Sequence, residues 1–293
     1  MPNLQPLWWT RVCWLVAIVL SRAPLGSTAG AADVPPPTPA QKLVRSQRVL
    51  VIGHRGNSSI APENTVAAFQ SAVEARADLV ELDYYHSADG VPVVFHDKTL
   101  DRTTDAVHRW GGEKIELVTK TLAELRQLDA GSWFDARFKG AAIPTLEEAL
   151  RTIHNGSIAL VEHKQGDARS CVELLQRMEL ADQVVVQSFD WEFVRDCHGL
   201  APRMALAALG KEELTEEKLD AIAATGASVV GWDHKHVGRA QIEAIHRRGW
   251  QAWVYTVNDP ARARELVAAG IDGIITDAPA LVRSEIGEAV PAE

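Results

Sequence analysis

The sequence predicts an α/β protein built as a closed (β/α)8 TIM barrel. Three observations carry that expectation. Short apolar runs at residues 49–53, 79–85, 158–162, 184–188, 204–208, 229–232, 251–255 and 273–276 read as strands. Amphipathic stretches at 63–75, 146–153, 169–178, 216–224, 239–247 and 260–268 lie between them and read as helices. Strands alternating with helices form parallel sheets, and eight such units suit closure into a barrel of about 250 residues, which a chain of 293 accommodates. A doubly wound open sheet is the competing arrangement. No G-x-G-x-x-G follows the first strand, which counts against its dinucleotide-binding form.

The amino terminus reads as a targeting segment. Residues 12–20 (VCWLVAIVL) follow Arg11 and are too few to cross a bilayer core, which takes about 20 helical residues. They suit a secretory signal peptide over 1–31, with Ala29-Gly30-Ala31 as its cleavage site. An uncleaved anchor is the alternative. Residues 32–46, with Pro35-Pro36-Pro37, read as an extended spacer before a barrel domain over 47–284 and a tail over 285–293. The expectation is export to the periplasm or the medium, a mature start near Ala32, and no membrane span after cleavage. Cys13 leaves with the signal. Export permits a disulfide between Cys171 and Cys197, but both read as helical and their spacing leaves pairing open.

Composition narrows the function classes. The chain is 46% apolar and 24% charged, which excludes disordered, collagen-like and coiled-coil architectures. Its 30 basic and 39 acidic residues give a net charge of −9, against a general nucleic-acid surface. An anionic substrate must therefore meet local cations. Residues 98–143 break the strand–helix rhythm, with Gly111-Gly112, a short helix near 121–128 and the aromatics Trp133, Phe134 and Phe138. A structureless loop of that length is unusual, so an insertion folding over one barrel mouth is expected. Its aromatics read as cap core or, less favoured, as a rim that meets an apolar group of substrate.

The chemistry-bearing residues cluster at predicted strand ends. Glu81 and Asp83 share one strand face, and in a barrel that face is interior. Two carboxylates there repel unless a hard cation such as Mg2+ or Ca2+ sits between them; a solvated acidic face is the plain alternative. Glu162 and Lys164 repeat the spacing on the third barrel strand, either as an ion pair or as a further ligand beside a phosphate-neutralising amine. Gly53-His54-Arg55-Gly56 ends the first strand, placing a proton carrier and an anion-binding fork at the mouth. His96 follows the apolar run 93–95. Asp233-His234-Lys235-His236 invites a metal reading, with a polar mouth loop favoured.

From about residue 49 to 280 the chain resembles the glycerophosphodiester phosphodiesterases. The resemblance rests on His54-Arg55-Gly56, Pro62-Glu63-Asn64-Thr65, Glu81-Leu82-Asp83, Val94-Phe95-His96-Asp97, Arg102-Thr103-Thr104, Ile143-Pro144-Thr145-Leu146-Glu147-Glu148, Glu162-His163-Lys164, Gln187-Ser188-Phe189 and Asp272-Gly273-Ile274-Ile275-Thr276-Asp277. Singly these are weak; their order and spacing are specific. The resemblance implies a TIM barrel with a small insertion after the second strand region. It also implies a divalent metal, Mg2+ or Ca2+, on Glu81, Asp83 and Glu162, an acid–base pair in His54 and His96, and phosphate contacts from Arg55 and Lys164. Two positions depart from the family pattern: Tyr255 stands where many members carry Trp, and His163 replaces an apolar residue.

The implied reaction is metal-dependent hydrolysis of a small-molecule glycerophosphodiester to sn-glycerol 3-phosphate and an alcohol. Three alternatives stand beside it. A lysophospholipase D or sphingomyelinase D type of enzyme would act on acylated substrates and want an apolar mouth. A barrel glycosidase would use two carboxylates without a metal. A non-catalytic envelope binding module would not need both histidines and all three acids.

Overall fold

The computed structural model describes residues 1–2 and 35–287. The signal-peptide reading of residues 1–31 lies almost wholly outside the described residues. Of the tail expected over 285–293, Glu285 and the buried Ile286 instead end the helix Pro279–Ile286, and the residues beyond 287 lie outside the described residues. Within them the chain forms strands β1 (Leu50–Gly53), β2 (Leu79–His86), β3 (Pro92–Val94), β4 (Ile158–His163), β5 (Val185–Ser188), β6 (Ala205–Gly210), β7 (Val229–Asp233), β8 (Gln251–Tyr255) and β9 (Gly273–Thr276). The sheet runs β1-β9-β8-β7-β6-β5-β4-β2, and β1 also pairs with β2, so the parallel strands close into the expected barrel. β3 stands outside the ring. It pairs antiparallel with β2, Tyr84 opposite Val94, so His96 arrives from a hairpin folded back over the barrel and not from a barrel strand.

The alternation of side chains along each strand builds two apolar layers. Leu50, Ile52, Leu79, Leu160, Val185, Ala207, Val229, Trp253 and Ile275 fill the lower interior. The opposite faces, with Val51, Val80, Leu82, Val161, Val186, Leu206, Val230 and Ile274, pack under the helices. Each fully buried Val, Leu or Ile among them contributes roughly 1.5–3 kcal/mol. Helix starts follow local chemistry. Thr145 and Glu148 form a reciprocal capping box at Leu146–Ile153, and Asp259 with Pro260 opens Pro260–Ala269.

Two expectations need correction. The spacer reading of 32–46 fails over Pro39–Val44, which is helical, with Thr38 and Gln41 forming a capping box and Pro39 at its first turn. Ala40 and Val44, four residues apart, share one helix face and pack on Leu50, Val185 and Ala205 beneath the barrel. The helix closes the base opposite the strands' carboxyl ends. The insertion does fold over the mouth, but its core is mainly aliphatic: Val93, Phe95, Leu100, Leu117, Leu125, Leu128 and Ile143. Trp133, Phe134 and Phe138 instead stack edge to face in a partly exposed row. Trp133 Nε1 donates to the Ala130 carbonyl, and Arg137 donates to the carbonyl of Ile60 in the loop after β1.

Cys171 and Cys197 are free, buried thiols, not a disulfide. No helix among the described residues is long and apolar enough to cross a membrane.

Candidate active site

β2 and β4 bring three acids together at the mouth. The register pairs Asp83 with Glu162, and Glu81 lies two residues earlier on the same inward face. Glu81, Asp83 and Glu162 are buried, with one carboxylate oxygen from each within 4.8 Å of the others. Glu81 Oε1 is buried and makes no hydrogen bond. Burial and the charges of Asp83 and Glu162 push the Glu81 carboxyl well above its ordinary range. Burial and Asp83 likewise push Glu162 up to about 7, against the pull of Lys164. Burial alone would raise Asp83 too, but Lys164, Arg55 and His96, with a hydrogen bond from Asn64, outweigh it and hold this carboxyl low. A buried acidic cluster with an orphaned oxygen fits a hard divalent cation.

Two cations border the acids. Lys164 Nζ lies 3.0 Å from Asp83 and also contacts Glu162. Arg55 donates its backbone N–H to Glu81 at 2.7 Å, and its guanidinium reaches Glu63 at 2.8 Å. The turn that aims Arg55 is left-handed, with φ 53° at Arg55 and 90° at Gly56. Gly56 is obligatory for packing: a Cβ there would lie 2.6 Å from the Ala68 backbone. Asn64 is also left-handed, which Asn tolerates, and its amide holds Asp83 from both sides, donating at 2.8 Å and accepting the backbone N–H at 3.3 Å.

Each expected histidine meets a carboxylate that the sequence reading did not assign. His54 Nδ1 lies 2.6 Å from Asp277 Oδ1, and His96 Nδ1 lies 2.7 Å from Asp97 Oδ1. A carboxylate only accepts, so Nδ1 carries the proton in each neutral ring and Nε2 is left to exchange one. Asp277 is itself held by Asn258, which donates at 2.5 Å, and by Ser58, which donates at 3.0 Å. Burial opposes ionisation of Asp277, but His54, Asn258 and Ser58 lower it to about 2. Burial lowers His96, reinforced by Arg55 and Lys164 against the pull of Asp83. Asp97 and Asp277 both fall within the quoted motifs. The sequence signal was there as His-Asp adjacency in one case; in the other, contact spans the barrel seam and has no local signature.

His54, Glu81, Glu162, Gln187, Phe189, Tyr255 and Ile275 line one small pocket. Gln187 donates to Glu162 at 3.3 Å. Tyr255 donates its hydroxyl to the Gly210 carbonyl at 2.6 Å and meets Phe189 edge to face, so this departure from Trp still builds an aromatic wall. His163 faces outward as expected, stacked on Phe193 with ring centroids 3.6 Å apart. Residues His234–His236 form a short 3-10 turn whose backbone accepts from Arg262, and they join no metal-ligand cluster among the described residues.

The family profile described as "Glycerophosphoryl diester phosphodiesterase family" matches residues 54–281. The Bacillus subtilis protein YhdW is 36% identical over 237 residues, covering 78% of this chain and 94% of its own. A glycerophosphodiester phosphodiesterase of the same organism is 32% identical over 262 residues, covering 82% and 87%. The solved structure of an Oleispira antarctica phosphodiesterase, in complex with the product sn-glycerol-3-phosphate, superposes with a TM-score of 0.75. It is 30% identical and covers 82% of this chain and 97% of its own. The profile spans the barrel from His54 at the end of the first strand to the last helix, and by that match the chain belongs to the glycerophosphoryl diester phosphodiesterase family and is an enzyme of it.

Proposed function

We propose that this enzyme hydrolyses glycerophosphodiesters to sn-glycerol 3-phosphate and an alcohol, with Mg2+ or Ca2+ on Glu81, Asp83 and Glu162. The observation that carries the reading is the convergence of those acids with Arg55, Lys164 and two carboxylate-held histidines at one mouth. A phosphodiester resists attack because its phosphorus is shielded by negative charge and its alkoxide leaves poorly. A bound divalent ion supplies Lewis acidity toward a phosphate oxygen. Arg55 and Lys164 add fixed positive charge for the remaining oxygens. His54 and His96 divide the proton work, one accepting from the nucleophile and the other donating to the leaving oxygen. The nucleophile is water or the neighbouring glycerol hydroxyl, and a substrate lacking that hydroxyl separates the two. The product bound in the Oleispira antarctica structure supports the substrate class.

The test is glycerol 3-phosphate release from a panel of glycerophosphodiesters, with EDTA and with added Mg2+ or Ca2+. Release that EDTA abolishes and metal restores supports the reading; undiminished release in EDTA refutes the metal. A second reading, hydrolysis of acylated substrates, is favoured by Phe189, 44% exposed beside the pocket. Choline release from lysophosphatidylcholine, which leaves lysophosphatidic acid and no glycerol 3-phosphate, decides it. Export is also proposed, from the apolar run 12–20 and Ala29-Gly30-Ala31. Amino-terminal sequencing should find a start near Ala32, and an intact Met1 in the membrane fraction would refute it.

A further inference from the structure

We infer that Glu63 and Arg102 are a positioning pair that locks the His96–Asp97 dyad to the loop carrying Arg55. The inference rests on the proposed role of His96 as a proton carrier. Arg102 comes from the insertion and spends its whole fork on two carboxylates. Its NH1 and NH2 donate to Glu63 at 2.8 and 2.7 Å, and its Nε donates to Asp97 at 2.6 Å. Asp97 in turn holds His96 Nδ1 at 2.7 Å. Glu63 Oε1 also accepts from Arg55 at 2.8 Å, and Arg55 Nε lies 3.5 Å from Asp83. An unbroken chain of charge-assisted contacts therefore runs from His96 through Asp97, Arg102 and Glu63 to Arg55 and the acid cluster.

The topology gives this chain a purpose. His54 and Arg55 stand at the end of β1, inside the ring, whereas His96 follows β3, which pairs with β2, bridges to Thr145 through Val93, and lies outside the ring. Phe95 donates its backbone N–H to the Asp83 carbonyl at 3.0 Å and ties the chain before His96 to the barrel. The contact between the insertion and the β1 loop adds the tie that holds Asp97, and through it the His96 ring, relative to Arg55. Ion pairs at the surface generally add little stability, and the Arg102 side chain is 47% exposed. Its bidentate grip on Glu63 gives orientation, which a single ammonium cannot reproduce. Small displacements of a catalytic group are costly in rate, so the pair should show in turnover more than in stability.

Steady-state hydrolysis of glycerophosphocholine, with a thermal melt of each variant, tests this. Arg102→Gln and Arg102→Lys should each lower kcat about tenfold or more while KM stays within about twofold. Glu63→Gln should lower kcat and also raise KM, because Arg55 loses its partner as well. Arg102→Gln in a His96→Ala background should cost nothing further. Full kcat in Arg102→Lys would show that charge alone suffices and would overturn the inference. So would losses that multiply in the double variant. If His96→Ala is impaired and Arg102→Gln is not, only this inference fails; full activity in His96→Ala removes the proton-transfer reading and this inference with it.

Discussion

His54 and His96 share one design: Nδ1 faces a carboxylate and Nε2 is left for chemistry. Removing either ring by substitution with Ala should lower kcat by about a hundredfold or more, the scale for a positioned acid or base. The double variant should fall short of the product of the two losses, since both rings serve one displacement. A nitrophenyl ester needs no protonation on departure, so it should rescue the variant lacking the acid and not the one lacking the base. Normal turnover of glycerophosphocholine by both single variants would make the rings structural. Asp277→Asn should lower kcat by at least about tenfold with little change in KM, because an amide can donate to Nδ1 and reverse the tautomer. A variant of unchanged kcat would show that Asp277 does not orient the ring.

At the scale of elements, the β1 turn and the base helix do different jobs. The turn must pass within contact distance of the helix Val66–Glu74 while holding positive φ at two successive residues. Gly56→Ala would press a methyl into the Ala68 backbone, so urea unfolding should show a loss of about 2 kcal/mol or more. Activity should drop too, since His54 and Arg55 ride on the same turn. Pro39–Val44 has no part in the site and only closes the base. Val44→Asp would bury a charge there and should cost on the order of 3 kcal/mol. Its kcat, measured well below its melting temperature, should match the parent; a large fall would mean that the base helix communicates with the mouth.

For the whole molecule, net charge of −9 cannot draw in an anionic diester, so the local cations Arg55 and Lys164 must offset it. The acid cluster also makes stability depend on pH and on bound cation. Glu162, raised to about 7 by burial and Asp83, keeps its proton in the folded state where the unfolded chain has already lost it. The folded state therefore binds more protons between the ordinary carboxylate range and pH 7, and this group's contribution falls as pH rises through that window. Protons and a divalent cation compete for the same oxygens. Mg2+ or Ca2+ should raise the melting temperature more at pH 8 than at pH 5.5, and Glu162→Gln should flatten the difference. Equal shifts at both pH values would argue against cation binding at this cluster.

Local periodicity was enough to read most of the barrel. The runs 251–255 and 273–276 are strands at those bounds, and the others agree within a few residues, because a buried parallel strand needs a short apolar run whatever surrounds it. The inward pairing of Glu81 with Asp83 was equally legible, since strand side chains alternate by geometry alone. Contacts between distant segments were not. Pro92–Val94 looked like any apolar run, and only its pairing with β2 sets it outside the ring. Thr38 to Val44 carried a capping box hidden among prolines, and burial beneath the barrel made that short helix worth forming. Asp277 reaches His54 because β9 closes on β1, a neighbour relation that exists only once the ring is shut. Arg102 and Glu63 meet for the same kind of reason: 39 residues separate them in sequence, and packing of the insertion over the mouth brings them together.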